Sequence, residues 1–355
     1  GARLATAMIL SPHTIKHSES STAMLEHGGR LRAAAQAYGI PLDRWIDLST
    51  GISPWLYPIP DIPNHAWQRL PEPDDGLDAI AAQYYGNSNL LATAGSQPAI
   101  QLLPTLFEPC RVAIIGPTYN EHVAAWRLTG HDLHLVDTLN DALEIQPTVV
   151  VLCNPNNPTA THHQPGHLLA AAEQLNQRNA WLVVDEAYGD AYPELSITNL
   201  AGTVVAPRLI TLRSLGKFFG LAGARVGFLF GDSILLNRLA DKLGPWTING
   251  PARFVAQKAL ADTTWQTHQI AHIRDAGLRL KQLITRTVAP VEPVKSTGLF
   301  STFTTADAEV IFEHLARHGI LVRLFREASL IRIGIAADHE WKRLENVLQA
   351  WHTTT

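Results

Sequence analysis

The sequence predicts an α/β fold, with a large domain on a mainly parallel sheet followed by a smaller α+β domain. Two observations carry this. Short β-branched runs recur between helical patterns, at 112–116 (VAIIG), 148–153 (TVVVLC), 181–186 (WLVVDE), 209–212 (LITL) and 226–231 (VGFLFG). Each is continuous rather than alternating, which suits strands buried on both faces. Past residue 250 this rhythm gives way to a long helical stretch, the segment VEPVKSTGLFSTFTT, a helix, a strand pair (ILVRLF and SLIRIGIA) and a last helix. Strands alternating with helices place a site at the strands' carboxyl ends.

Taken in order, residues 1–23 have no long apolar run and read as a flexible extension, with Met24 as the natural start. LEHGGRLRAAAQAYGIP is a short helix pattern stopped by Gly39 and Pro41. WIDLSTGISPWLYPIPDIP is rich in Pro and Gly and reads as an extended arm. Residues 24–64 therefore form an N-terminal arm that belongs to the small domain. GLDAIAAQYYG puts Leu77, Ile80, Ala81 and Tyr84 on one helical face, within a large domain over 65–250. Residues 251–355 complete the small domain.

The composition bounds the function. The chain has 355 residues, 46% of them apolar and 17% charged, with a net charge of −4. No strong field recruits nucleic acid or an acidic membrane. No apolar run approaches the roughly 20 residues that span a bilayer. Cys110 and Cys153 lie in or beside apolar runs, as reduced thiols of a cytoplasmic protein do. The 16 histidines are dispersed, and no metal site is expected.

Four separated signals carry chemistry. TAGSQPAIQLL places Gly95, Ser96 and Gln97 between a strand and a helix, where free amides can face an anion. CNPNNPTA follows a buried strand and offers the Asn157 amide. VVDEAYGD ends a strand on Asp185, with Tyr188 following; such a carboxylate is costly without a cationic partner. SLGKFFGLAGAR sets Lys217 among small and apolar residues between Ser214 and Arg225. Each alone has an ordinary reading: a helix start, an Asx turn, an N-cap aspartate, a surface lysine.

Together the four fit pyridoxal 5'-phosphate. That cofactor needs an amine for its aldehyde, an acid against its pyridine nitrogen, donors to its phenolic oxygen and a cradle for its phosphate. Lys217 would supply the amine, Asp185 the acid, and Asn157 with Tyr188 the donors. Gly95, Ser96, Gln97, Ser214 and Arg225 would line the phosphate end. Tyr119, in GPTYNEH, would stack on the ring or serve as an ordinary boundary tyrosine.

The ordered set NPNNPT, DEAY and SLGKFFGLAGAR resembles the class I/II aminotransferases, from Met24 to the end of the chain. The resemblance implies the type I fold of pyridoxal-phosphate enzymes, with a seven-stranded sheet and a homodimer. It implies that Arg332, in LIRIGI, binds a substrate carboxylate. Two departures stand out: Ala160 replaces a glycine after NPT, and Asp75, in RLPEPDDG, stands where relatives carry a tyrosine that reaches the neighbouring subunit.

Within the family, EHGGRLRAAAQAYGI and DLSTGISPW resemble the branch that acts on phosphorylated amino substrates. The resemblance places His27, Gly28 and Gly29 at the substrate phosphate, where bare glycine amides and an imidazole suit an anion. Arg323, in LVRLF, joins Arg332 as a second guanidinium for a substrate with both phosphate and carboxylate. Arg326 reads as a solvated charge. The implied activity is decarboxylation of L-threonine O-3-phosphate in cobalamin biosynthesis. The alternatives are transamination of a histidinol-phosphate-type substrate and, further off, an inactive ligand-binding relative.

Overall fold

The computed structural model describes residues 26–351, so the expected extension and Met24 lie outside the described residues. The arm contributes a two-residue strand, β1 (Ile46–Asp47). The large sheet is built from β2 (Leu90–Thr93), β3 (Arg111–Ile115), β4 (Asp132–Val136), β5 (Val149–Cys153), β6 (Trp181–Asp185), β7 (Leu209–Ser214) and β8 (Gly227–Phe230). Its order is β2-β8-β7-β6-β5-β3-β4. The pairs from β7 through β6, β5 and β3 to β4 are parallel, while β8 runs antiparallel to both neighbours.

The continuous apolar runs explain why this sheet lies inside. Along β5, Val149 and Val151 pack into one core cluster with Val112, Ile114, Val183 and Leu229. Val150 and Leu152 point the other way and join Leu182, Val184, Phe228 and Phe230 in a second cluster. Side chains alternate across a strand, so only a doubly apolar run can fill both clusters. The edge strand β4 escaped the sequence pattern because DLHLV is half exposed and has no such run.

Beyond the sheet, β9 (Lys295–Ser296), β10 (Phe300–Thr304), β12 (Arg323–Phe325) and β13 (Leu330–Gly334) form an antiparallel sheet ordered β12-β13-β10-β9. The expected strand pair is β12 with β13, and β11 (Ile320–Leu321) pairs in parallel with β1. The arm is extended as expected and stitches the two sheets together. Its Leu48 amide donates to the Leu321 carbonyl at 2.8 Å and its Leu48 carbonyl accepts from the Gly334 amide at 2.8 Å. Further on, the Ser53 amide donates to the Lys217 carbonyl at 2.9 Å, and the Tyr57 amide to Phe219 at 2.8 Å. The helix Leu31–Tyr38 stops at Gly39, whose φ of 64° is the left-handed conformation that glycine adopts without strain. Among the described residues no helix is long and apolar enough to cross a membrane.

Candidate active site

The site is assembled along one edge of the large sheet. Cys153 and Asp185 are register partners at the carboxyl ends of β5 and β6. Ser214 ends β7 opposite Gly227, which also faces Thr93 at the end of β2. Asp185 is only 4% exposed and needs a partner. It has one: His122 Nε2 lies 2.7 Å from Asp185 Oδ2, and the Ala187 amide donates to Oδ1 at 3.0 Å. Burial alone would lower the pKa of His122. The hydrogen bonds to Asp185 and Cys153 outweigh it and hold the imidazole up at about 10. The buried carboxylate thus faces a cationic ring. His122 Nε2, Cys153 Sγ and an Asp185 oxygen gather within 4.8 Å of one another, but the imidazole and carboxylate are already spent on each other.

Lys217 lies three residues beyond β7. Its Nζ donates to the Thr50 carbonyl at 2.9 Å and sits 5.4 Å from the centre of the Tyr188 ring. The loop that carries it is pinned by the arm and by Gln269, whose amide donates to Ser53 Oγ, the Trp55 carbonyl and the Phe218 carbonyl. Arg225 holds a left-handed φ of 55°, a conformation costly for a side chain of its size. Its Nη1 donates to the Ala222 carbonyl at 3.0 Å. Gly95 lets Arg225 approach: a Cβ there would sit 2.5 Å from Arg225 Nη2.

Ser96, Gln97, Tyr119, Asn157, Asp185, Tyr188, Ser214, Lys217 and Arg225 line a single cavity. An amine, a buried carboxylate on a cationic imidazole, and a guanidinium seated on a glycine therefore converge. That donor set fits pyridoxal 5'-phosphate. Gln97 lines the cavity, but its amide is committed: Nε2 donates to Glu121 Oε2 at 2.7 Å, and Oε1 accepts from Tyr119 Oη at 3.3 Å. Burial first, then the nearby Glu121 and Asp185 charges, push the Tyr119 phenol pKa up, so it stays a donor.

An adjoining cleft is lined by His27, Gly28, Asn157, Tyr188, Lys217, Arg323 and Arg332. Arg323 and Arg332 are register partners across β12 and β13. Arg332 is 4% exposed and donates to Asn157 Oδ1 and the Ser49 carbonyl, while its buried Nε has no protein partner. Arg323 donates to the Glu26 carbonyl at 2.6 Å and reaches the exposed Glu26 carboxylate at 3.3 Å.

The two glycines are placed differently. Gly29 does not present a bare amide, because it donates to Ser49 Oγ at 2.8 Å and carries a φ of 79°. At Gly28 a Cβ would meet the Ser49 carbonyl oxygen at 2.3 Å. The close approach to Ser49 requires glycine at 28 and the left-handed turn favours it at 29, and both His27 and Gly28 line the cleft. Asp75 makes a two-pronged contact with Arg253, at 2.7 and 2.6 Å, and accepts from the Leu77 amide at 3.1 Å. It clamps one chain segment to another. Arg326 pairs with Glu309 at 3.3 Å, both exposed.

Sequence reasoning missed His122, Glu121 and Arg213. The first two sit in GPTYNEH, two and three residues beyond Tyr119 and in the first turn of the helix Asn120–Leu128. That position was the available signal. Arg213 bridges Glu186 at 2.8 Å and Asp190 at 2.9 Å, all three buried, and so fixes the DEAYGD segment from below.

Comparison with known proteins follows this geometry. The family model for aminotransferase class I and II matches residues 67–350. Among curated proteins, a threonine-phosphate decarboxylase of Pseudomonas aeruginosa is 47% identical over 331 residues, 92% of this chain and 97% of that protein. Another of that name, from Sinorhizobium sp, is 38% identical over 323 residues, covering 89% and 95%. Among solved structures, histidinol-phosphate aminotransferase from Sinorhizobium meliloti in complex with pyridoxal-5'-phosphate is similar in fold. Its TM-score is 0.79 at 20% identity, covering 97% of this chain and 100% of that one.

Proposed function

The chain belongs to the aminotransferase class I and II family, and from that membership we propose that it decarboxylates L-threonine O-3-phosphate. The products are (R)-1-amino-2-propanol O-2-phosphate and carbon dioxide, the former supplying the aminopropanol linker of cobalamin. The observation that carries this reading is the facing pair Arg323 and Arg332 in the cleft that also holds Lys217. Two guanidinium groups suit a ligand with two anionic ends. Histidinol phosphate has only one.

Pyridoxal 5'-phosphate, held in the cavity of Lys217, supplies an aldehyde for the substrate amine and an electron sink for the pair left when a bond to the α-carbon breaks. Arg225, Ser96 and Ser214 would hold its phosphate end, and Asp185, backed by His122, would hold a proton at the pyridine nitrogen. Arg332 anchors the substrate carboxylate, and Arg323 with His27 the substrate phosphate. Anchoring both ends would fix the orientation of the substrate's α-carbon bonds, and orientation decides whether the carboxylate or the proton is lost. Lys217 Nζ then delivers a proton to the α-carbon.

The same reading includes a homodimer in the cytoplasm. Exposed Trp67, Leu70, Ile59 and Trp246 support a partner surface, and two-fold dimers are the commonest oligomers. Cys110 and Cys153 are free thiols, in keeping with a reducing compartment. A division into an arm to residue 64, a large domain to 250 and a small domain beyond is supported by the confinement of the large sheet to 90–230 and the four-stranded sheet to 295–334.

The test is to incubate the holoenzyme with L-threonine O-3-phosphate and no keto-acid. Stoichiometric carbon dioxide is expected, and Lys217→Ala should lose about a thousandfold in rate together with the visible band of the bound cofactor. Turnover of histidinol phosphate that requires a keto-acid acceptor, with no carbon dioxide released, would overturn the reading.

A further inference from the structure

Glu121 stands at a junction that the proposed chemistry leaves unused. It occupies the first turn of the helix Asn120–Leu128 and its side chain is 16% exposed. Its two oxygens face opposite ways. Oε1 meets His27 Nε2 at 2.8 Å, at the mouth of the substrate cleft. Oε2 accepts from Gln97 Nε2 at 2.7 Å, at the cofactor cavity. The Gln97 carbonyl oxygen then accepts from Tyr119 Oη at 3.3 Å. The His27 and Tyr119 rings themselves lie 6.2 Å apart, so the loop of contacts closes on itself.

The direction of each bond matters. A carboxylate only accepts, so it obliges Gln97 to present its NH2 to Glu121 and its oxygen to Tyr119. His27 Nε2 faces the same carboxylate as an ion-pair contact at 2.8 Å. Glu121 thus dictates the orientation of one amide and, through the amide, the bond of one phenol, while its other oxygen pairs with one imidazole. His27 itself is 45% exposed on an arm whose adjoining contacts, from Glu26 to Arg323 and from Gly29 to Ser49, hold backbone more than side chain. Glu121 provides the only polar side-chain contact to the His27 ring among the described residues.

We propose that Glu121 is a positioning residue that holds His27 over the substrate phosphate and ties that contact to Tyr119 beside the cofactor. This inference rests on the reading of His27 as a ligand of the substrate phosphate. It assigns Glu121 a part in substrate recognition and none in the bond-breaking step. Glu121→Gln keeps the shape but ends the obligation: Gln97 can turn over, and His27 loses its charged anchor.

The experiment measures competitive inhibition of the holoenzyme by inorganic phosphate, together with KM and kcat for L-threonine O-3-phosphate. The proteins are the parent, Glu121→Gln, His27→Ala and the double variant. Thermal melting checks that each is folded. His27→Ala should weaken phosphate about tenfold, as expected for a charge-assisted bond. Glu121→Gln should weaken it about as much, raise KM by a similar factor and lower kcat less than threefold. The double variant should add little to His27→Ala, because the two residues act through one contact.

An effect of His27→Ala without one of Glu121→Gln overturns the proposal and leaves the phosphate-binding reading intact. Independent, additive effects also overturn it. If neither variant weakens phosphate, the reading of His27 fails and the proposal falls with it. A Glu121→Gln effect on kcat alone assigns Glu121 to the chemistry instead, again overturning the proposal.

Discussion

The carboxylate of Asp185 and the imidazole of His122 form a buried ion pair, 2.7 Å apart, beneath the cavity that Lys217 borders. Each makes the other tolerable. An isolated carboxylate at that depth would take up a proton and lose its use against a pyridine nitrogen, and an isolated imidazole would be neutral.

His122→Phe should therefore destabilise the fold by about 3 kcal/mol, the cost of stranding one member of a buried pair. The penalty depends on pH in a definite sense. The folded-state pKa of His122 is raised, from 6.5 to about 10. Its contribution is then fully present below pH 6.5, wanes above it and is lost as pH rises through about 10. Urea denaturation of parent and variant at pH 6.5 and at pH 10 checks this. A stability gap that widens with pH would contradict the assignment.

Gly95→Ala tests the phosphate end. The new methyl would lie 2.5 Å from Arg225 Nη2, on a backbone with a φ of 78°. The guanidinium has to move, and the backbone strain adds roughly 1 kcal/mol. Titration of apoprotein with pyridoxal 5'-phosphate should show affinity reduced by at least about tenfold. Unchanged affinity would remove Arg225 from the phosphate cradle.

The two arginines of the small sheet are expected to fail differently. Arg332→Lys keeps a charge but loses the planar fork, in a position where neither Asn157 nor Ser49 can follow a shorter reach. Its kcat/KM should drop about a hundredfold. Arg323→Lys should act chiefly through KM, and only for phosphorylated ligands. Steady-state kinetics with L-threonine O-3-phosphate, and binding of L-threonine, separate the two. Equal losses for both ligands in Arg323→Lys would take that residue off the phosphate.

Much of this was legible in the chain because the physics was local. A run such as VVVLC can fill both core clusters only as a doubly buried strand, and Asp185, Ser214 and Lys217 inherit their places from the strand ends they follow. What stayed hidden depends on distant packing. Nothing near β4 announces an edge strand, since its pairing with β3 is set by neighbours rather than by its own half-exposed residues. The Gly28–Gly29 pair reads as two bare amides, yet the Gly29 amide is taken by a serine 20 residues on. Asp75 looked like a missing intersubunit contact and is bonded instead to Arg253, 178 positions away. His122 and Glu121 adjoin a tyrosine already singled out, but their partners come from β6, from the arm and from the first residue of the helix Gln97–Leu102.

The extended arm has a mechanical consequence. Up to Leu48 it moves with the small sheet, through bonds to Leu321 and Gly334; from Ser53 it moves with the lysine loop, through bonds to Lys217 and Phe219. Ser49 is also held by Arg332 of that sheet, so only Thr50, Gly51 and Ile52 lie between the anchors, and among them are the carbonyl that accepts from Lys217 Nζ and a glycine at a φ of 65°. Any displacement of the arginine-bearing sheet relative to the lysine loop would have to be absorbed in those three residues. The carbonyl that holds the lysine amine is therefore the point at which the two sheets meet along the arm.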